Sequence, residues 1–206
     1  MTGKGHLWSG SMTLIGFGTL ELFVVHPLVD DLIHSFDLES TNIFLRMYNH
    51  VLGYFSEPSL FNILIWICGI CCYYFGLLLP DIDKSTSTIS KILHFHLPFL
   101  HRGITHTIYW VILNILLGVL LNPMFLFLAQ GYFVHLYYDS FSVAGVCWFY
   151  PFSRYTVYRN TVMTRRRHMV LYSSDGGELL PLVISIIVSI LIIVFVILVK
   201  GGYIAV

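Results

Sequence analysis

The chain has 206 residues, of which 57% are apolar and 16% aromatic, while Asp, Glu, Lys and Arg together supply 11%. A soluble domain of that length has too little interior to hide so much apolar surface, so the composition calls for a bilayer. Lys plus Arg and Asp plus Glu each number 11, a formal balance of zero, and no overall basic field argues for nucleic acid.

A membrane crossing needs roughly 20 mostly apolar residues. In chain order, the first such run is residues 7–25, with Gly16, Gly18 and Glu21 inside it. Residues 59–79 form the second and end at Pro80. The stretch 105–138 is too long for one crossing, and Asn122-Pro123 reads as a turn, so it is predicted to be a helical hairpin. Residues 179–199, rich in Ile, Val and Leu and free of charge, form the last. The expectation is an all-α membrane protein, a single domain over residues 1–206, built as a bundle of about five transmembrane helices. Outside these runs, residues 40–55 place Ile43, Met47, Val51 and Phe55 at spacings of four, one face of an interfacial helix.

Five crossings fix the side of every loop. Lys4, Lys84, Lys91, Arg102, Arg154, Arg159, Arg165, Arg166 and Arg167 fall on the side of the N-terminus, and only Arg46 and Lys200 fall opposite, which accounts for all 11 basic residues. Cytoplasmic loops retain Lys and Arg, so the N-terminus is placed in the cytoplasm and the C-terminus outside. The run Arg165-Arg166-Arg167-His168 suits a topology determinant or a contact with anionic lipid. Aromatics from Trp148 to Tyr158 suit the headgroup zone. Of the four cysteines, with Cys147 apart, Cys68, Cys71 and Cys72 lie in an apolar run and read as buried inert thiols rather than a zinc or redox pair.

The same topology sorts the histidines, of which there are ten. His6 opens the first helix, Asp81 and Asp83 follow the second, His101 and His106 bracket the start of the third, His135 and Asp139 end the fourth, and Glu178 begins the fifth. Each of these alone has a plain reading as an anchor, a turn or an ion pair. Their convergence at the cytoplasmic face is the argument, because imidazoles and carboxylates from several elements form a site for a divalent cation. His135 and Asp139 are four apart and share one helix face. Asp81 and Asp83 are expected in an extended turn that bridges ions. The ligands are therefore His6, Asp83, His101, His106, His135 and Asp139, holding one to three divalent ions, zinc first. Asp81 or Glu178 is expected as general base, and Arg102 as the group that steadies charge on the substrate.

These residues also carry a resemblance. Leu78-Leu79-Pro80-Asp81-Ile82-Asp83, His101-Arg102-Gly103-Ile104-Thr105-His106, and Gly131 to Asp139 followed by Gly145 and Tyr150-Pro151-Phe152 resemble, in that order, the YdjM-type proteins of bacterial inner membranes. The resemblance implies a metal-dependent hydrolase, with LexA-regulated members in the family, an early histidine at His6 and a late acidic residue at Glu178. The chain departs from the family's habit at Lys84 and Thr107, where His and Ser are usual. More remotely, the His135-to-Asp139 helix is similar to one in zinc-dependent phospholipase C, which turns the expectation toward a phosphoester or ester bond of a lipid or amphiphile. Membrane lipids are the expected partners. A metal or proton transporter, or a non-catalytic scaffold, would share the hydropathy; the first should place polar groups at mid-membrane, and the second leaves the ligand types unexplained. No H-E-x-x-H and no G-x-S-x-G occurs.

Overall fold

The computed structural model describes residues 3–20, 60–122, 124–165 and 179–200. Among them lie six α-helices and one two-stranded sheet: α1 (Gly3–Leu20), α2 (Leu60–Leu78), α3 (Thr88–Leu93), α4 (Ile108–Leu120), α5 (Met124–Ser140), β1 (Tyr155–Tyr158), β2 (Thr161–Thr164) and α6 (Leu179–Lys200). The expected helix at 40–55, together with Glu21, Glu178, Arg166 and Arg167, lies outside the described residues.

The chain is mostly helical, as expected, but it is not all-α. Tyr155 pairs with Thr164 and Tyr158 with Thr161 in an antiparallel hairpin where a helix-free loop was expected. The reason is local: Tyr, Thr and Val dominate both strands and favour a pleated surface. Arg159 and Asn160 adopt the left-handed conformation, φ 44° and 65°, that a two-residue hairpin turn needs. Among the described residues, Leu182–Val199 is long and apolar enough to cross a membrane, and Ile108–Leu120 is a shorter apolar helix. A helix rises 1.5 Å per residue, so α4 spans about 20 Å against a hydrocarbon core of about 30 Å. Of the five expected crossings, one is matched among the described residues by a helix that meets the requirement by itself.

By contact the described residues fall into two units, one of 3–10, 67–165 and 179–183, the other of 11–20, 60–66 and 184–200. In the first unit, α2 and α5 approach backbone to backbone. A Cβ at Gly76 would collide with the Leu128 carbonyl, and one at Gly131 with the Tyr73 carbonyl, so only glycine permits the approach. Val111, Ala129, Tyr132, Leu136 and Val146 form the apolar core beside it. The Tyr73 hydroxyl donates to the Gly10 carbonyl over 2.8 Å and ties α1 to α2. In α4 the usual arrangement is reversed. Its buried positions include Asn114 and Gly118, while Ile112, Leu113, Ile115 and Leu116 face outward. Cys68 and Cys71 are exposed on α2, and among the cysteines only Cys147 is buried, which corrects the expectation for the α2 thiols. In the second unit, Ser189 of α6 donates to the Met12 carbonyl of α1, and Gly16 leaves room for that contact.

Candidate metal centre

All the described site residues belong to the first unit. α5 carries His135 and Asp139 one turn apart, with Nε2 and Oδ2 separated by 3.6 Å. α2 ends at a 3-10 turn, Leu79–Asp83, that carries Asp81 and Asp83. Pro80, the second residue of this turn, has no N–H to give Leu77 in the tight i to i+3 register. The Leu77 carbonyl instead accepts from His135 Nδ1 over 2.7 Å. A second 3-10 turn, Ile104–His106, precedes α4 and presents His106, while α1 brings His6.

Four donor atoms from three elements face one another across a small gap. His106 Nε2 lies 3.6 Å from both Asp81 Oδ1 and Asp139 Oδ2, and His135 Nε2 lies 3.7 Å and 3.6 Å from the same two atoms. His6 Nε2 stands 3.4 Å from the other oxygen of Asp139. These separations exceed hydrogen-bond length. They match the spacing of ligands around one ion: zinc bonds of about 2.0–2.1 Å in a tetrahedron put ligand atoms about 3.3 Å apart. Two triads that share no residue could each hold an ion, His6 with His135 and Asp139, and Asp81 with His101 and His106.

The outer hydrogen bonds fix which imidazole nitrogen points inward. A carbonyl only accepts, so His135 Nδ1 bears the proton and Nε2 presents its lone pair. His101 Nδ1 meets Asp83 Oδ1 at 2.8 Å, which assigns it the same tautomer. The Thr105 hydroxyl donates to Asp83 Oδ2, so it accepts from His106 Nδ1 at 3.1 Å, and again Nε2 is turned inward. The Nε2 atoms of His6, His106 and His135 are buried without a hydrogen bond. A buried polar atom left so is costly unless something else occupies its lone pair.

Asp83 stands behind the cluster rather than in it. It accepts from His101, from the Arg102 amide at 3.2 Å and from Thr105, and so pins the 101–106 loop. Asp81, expected as a base, enters the cluster instead. Its partner two residues on diverges because a 3-10 turn, not an extended one, rotates each residue by about 120°. Arg102, expected to steady charge on the substrate, is placed beside Asp139. It is buried; NH2 lies 2.8 Å from Asp139 Oδ2, and NH1 donates to Ser142 Oγ over 2.5 Å and to the Gly145 carbonyl. Its guanidinium braces Asp139. Thr105, Tyr132, which donates to the Thr105 carbonyl, and Ser142 were not anticipated. Hydroxyls of common residue types carry no spacing signal, although Thr105 lies between two residues already singled out. His94 and His96 are exposed, apart from the cluster.

The charges point the same way. Burial works against a charge on Asp83, yet the hydrogen bond from His101 and the nearby His106 imidazole hold its carboxyl well below the usual range. Burial likewise opposes ionisation of Asp81, and His135 and His106 more than offset it. Burial would lower His106, but Asp81 and Asp83 push its imidazole up to about 9. Three buried carboxylates, Asp81, Asp83 and Asp139, face one buried guanidinium. With every imidazole neutral, as a bound cation requires of its ligands, two negative charges would stand uncompensated, the charge of one divalent ion. The donor set therefore fits a metal on three grounds: spacing, inward lone pairs and charge.

The family model for YdjM inner membrane proteins matches residues 51–203. The chain belongs to that family. The match takes in the Asp81, His101, His106, His135 and Asp139 segments, whereas His6 lies ahead of it. No curated protein matches the chain, and no solved structure does.

Proposed function

We propose that this YdjM-family chain is a membrane-bound metal-dependent hydrolase, one domain over its whole length, cleaving a phosphoester or ester bond of a lipid or amphiphile at the cytoplasmic face. The observation that carries the reading is the pair of buried Nε2 atoms, on His106 and His135, turned inward by outer hydrogen bonds and facing two carboxylates at 3.6–3.7 Å, with His6 Nε2 a further 3.4 Å from Asp139. Such outer bonds raise ligand basicity and hold ring orientation. A divalent ion held there would supply Lewis acidity and would lower the pKa of water to about 7.

In this reading His106, His135, Asp81 and Asp139 hold the ion, with His6 and His101 flanking. Asp83 orients His101 and His106, and Arg102 keeps Asp139 ionised and aimed. The charge deficit favours a single divalent ion, zinc by its preference for imidazole and carboxylate. Glu178 remains the candidate base. Five crossings with the N-terminus inside put these groups at headgroup depth, in keeping with the nine basic residues on that side. The aromatic loops suit an amphiphilic substrate.

The test uses the full chain in phospholipid nanodiscs with a fluorescent phospholipid analogue. Release of a labelled product that stops with chelator, returns with zinc and is absent from a His135→Ala, Asp139→Ala variant is the expected result. Zinc or proton flux in sealed vesicles with no product would overturn the hydrolase reading in favour of transport.

A further inference from the structure

The hairpin and the loop before it are basic and aromatic and make direct contact with the site. Between residues 84 and 165 the chain has one acidic residue, Asp139, which is buried, whereas Arg154, Arg159 and Arg165 are exposed. Beside them stand Phe149, Tyr158 and Phe152, the last 87% exposed. An apolar aromatic with a cation next to it fits a surface that is oily below and anionic above.

Arg159 is held in a costly place. It occupies the first position of the hairpin turn at φ 44°, where Asn or Gly would sit with less strain, and its guanidinium carbon lies 5.3 Å from the centre of the Tyr158 ring. The turn thus presents a guanidinium at its tip, a group whose planar fork binds phosphate oxygens in pairs. The hairpin is also tied to a segment that carries site residues. The His101 amide donates to the Asn160 carbonyl over 3.0 Å, and the Val162 amide donates to the His101 carbonyl over 2.8 Å.

We propose that residues 149–165 dock on the headgroups of anionic phospholipid, with Arg154, Arg159 and Arg165 gripping phosphate and Phe149, Phe152 and Tyr158 seated at the acyl boundary. The docked surface is one backbone hydrogen-bond pair from His101. The proposal stands without the hydrolase reading: a chain that holds anionic lipid and cleaves nothing would support this and defeat that.

The protein is purified in mild detergent with equal phosphatidylglycerol and phosphatidylcholine, and retained lipid is counted by native mass spectrometry. Parent protein is expected to keep phosphatidylglycerol in preference. Each cation near an anionic surface is worth about fivefold in partition, so the triple variant Arg154→Gln, Arg159→Asn, Arg165→Gln should lower the preference about a hundredfold. Metal content equal to that of the parent shows that the site still folds. A fall under about threefold at equal metal content, or no preference in the parent, overturns the proposal. Should the variant lose metal as well, salt decides on the parent: about 0.5 M should erase the preference, and its persistence overturns the proposal. Release of a bound protein instead of lipid by the same substitutions also overturns it.

Discussion

α5 and α6 are comparable in length and both apolar by composition, yet they bury opposite things. α5 buries His135, Asp139, Tyr132 and Gly131, whereas α6 buries Ser185, Ser189 and Val196 and turns most of its Ile and Leu outward. In α6 the inward serines serve packing: Ser189 meets the Met12 carbonyl, and the apolar side chains suit lipid. In α5 the inward polar groups are ionisable, held by a carbonyl, an arginine and a second carboxylate, and aimed at a common gap. The contrast teaches that polarity inside an apolar helix has two uses, and that outer partners tell them apart. A packing serine needs one acceptor, while a ligand needs one nitrogen satisfied and the other left bare.

Substitutions can break this contrast or sharpen it. The largest effect is expected from His135→Ala with Asp139→Ala, which should abolish bound metal, about one equivalent per chain in the parent by elemental analysis. Equal metal in both proteins would remove the distinction between the helices. Next is Asp83→Asn, which keeps every ligand but weakens the orientation of His101 and His106. Outer partners of this kind are worth about 10–100-fold in metal affinity, readable in a competition titration with a zinc chelator. Ser189→Leu should do the reverse of both. It crowds Gly16 and costs about 1–3 kcal/mol of stability on thermal unfolding, with metal content unchanged.

The smallest effect concerns protons. The metal-free site raises His106 from 6.5 to about 9, so its proton stabilises the fold fully below the unfolded value and that stabilisation is lost as pH rises through about 9. A metal must displace that proton, so zinc uptake at neutral pH should release about one proton per ion, and the release should fade above pH 9. Calorimetry in two buffers of different ionisation heat measures it; a release independent of pH would place the proton elsewhere.

Much of the site was legible because its ligands follow helix periodicity. His135 and Asp139 are a turn apart in the sequence and in space, and Asn122 does divide α4 from α5, its side chain accepting from the Met124 amide over 2.9 Å. The division of labour between Asp81 and Asp83 was not legible, since it depends on whether the turn after Pro80 is extended or 3-10. The task of Arg102 was hidden for another reason: Ser142 and Gly145 are some forty residues away and reach it only through the fold. The hairpin left a trace, alternating Tyr, Thr and Val around Arg159-Asn160, but two four-residue strands are short beside the apolar runs that dominate the chain.

The bond from His135 to the Leu77 carbonyl has one more implication, for how this centre tolerates change. Main-chain oxygen is present whatever side chain occupies position 77, so ordinary drift there leaves the imidazole anchored. The weak point is position 80. Any residue other than proline would offer the Leu77 oxygen an amide of its own, and the ring would then compete with its own scaffold for the tether.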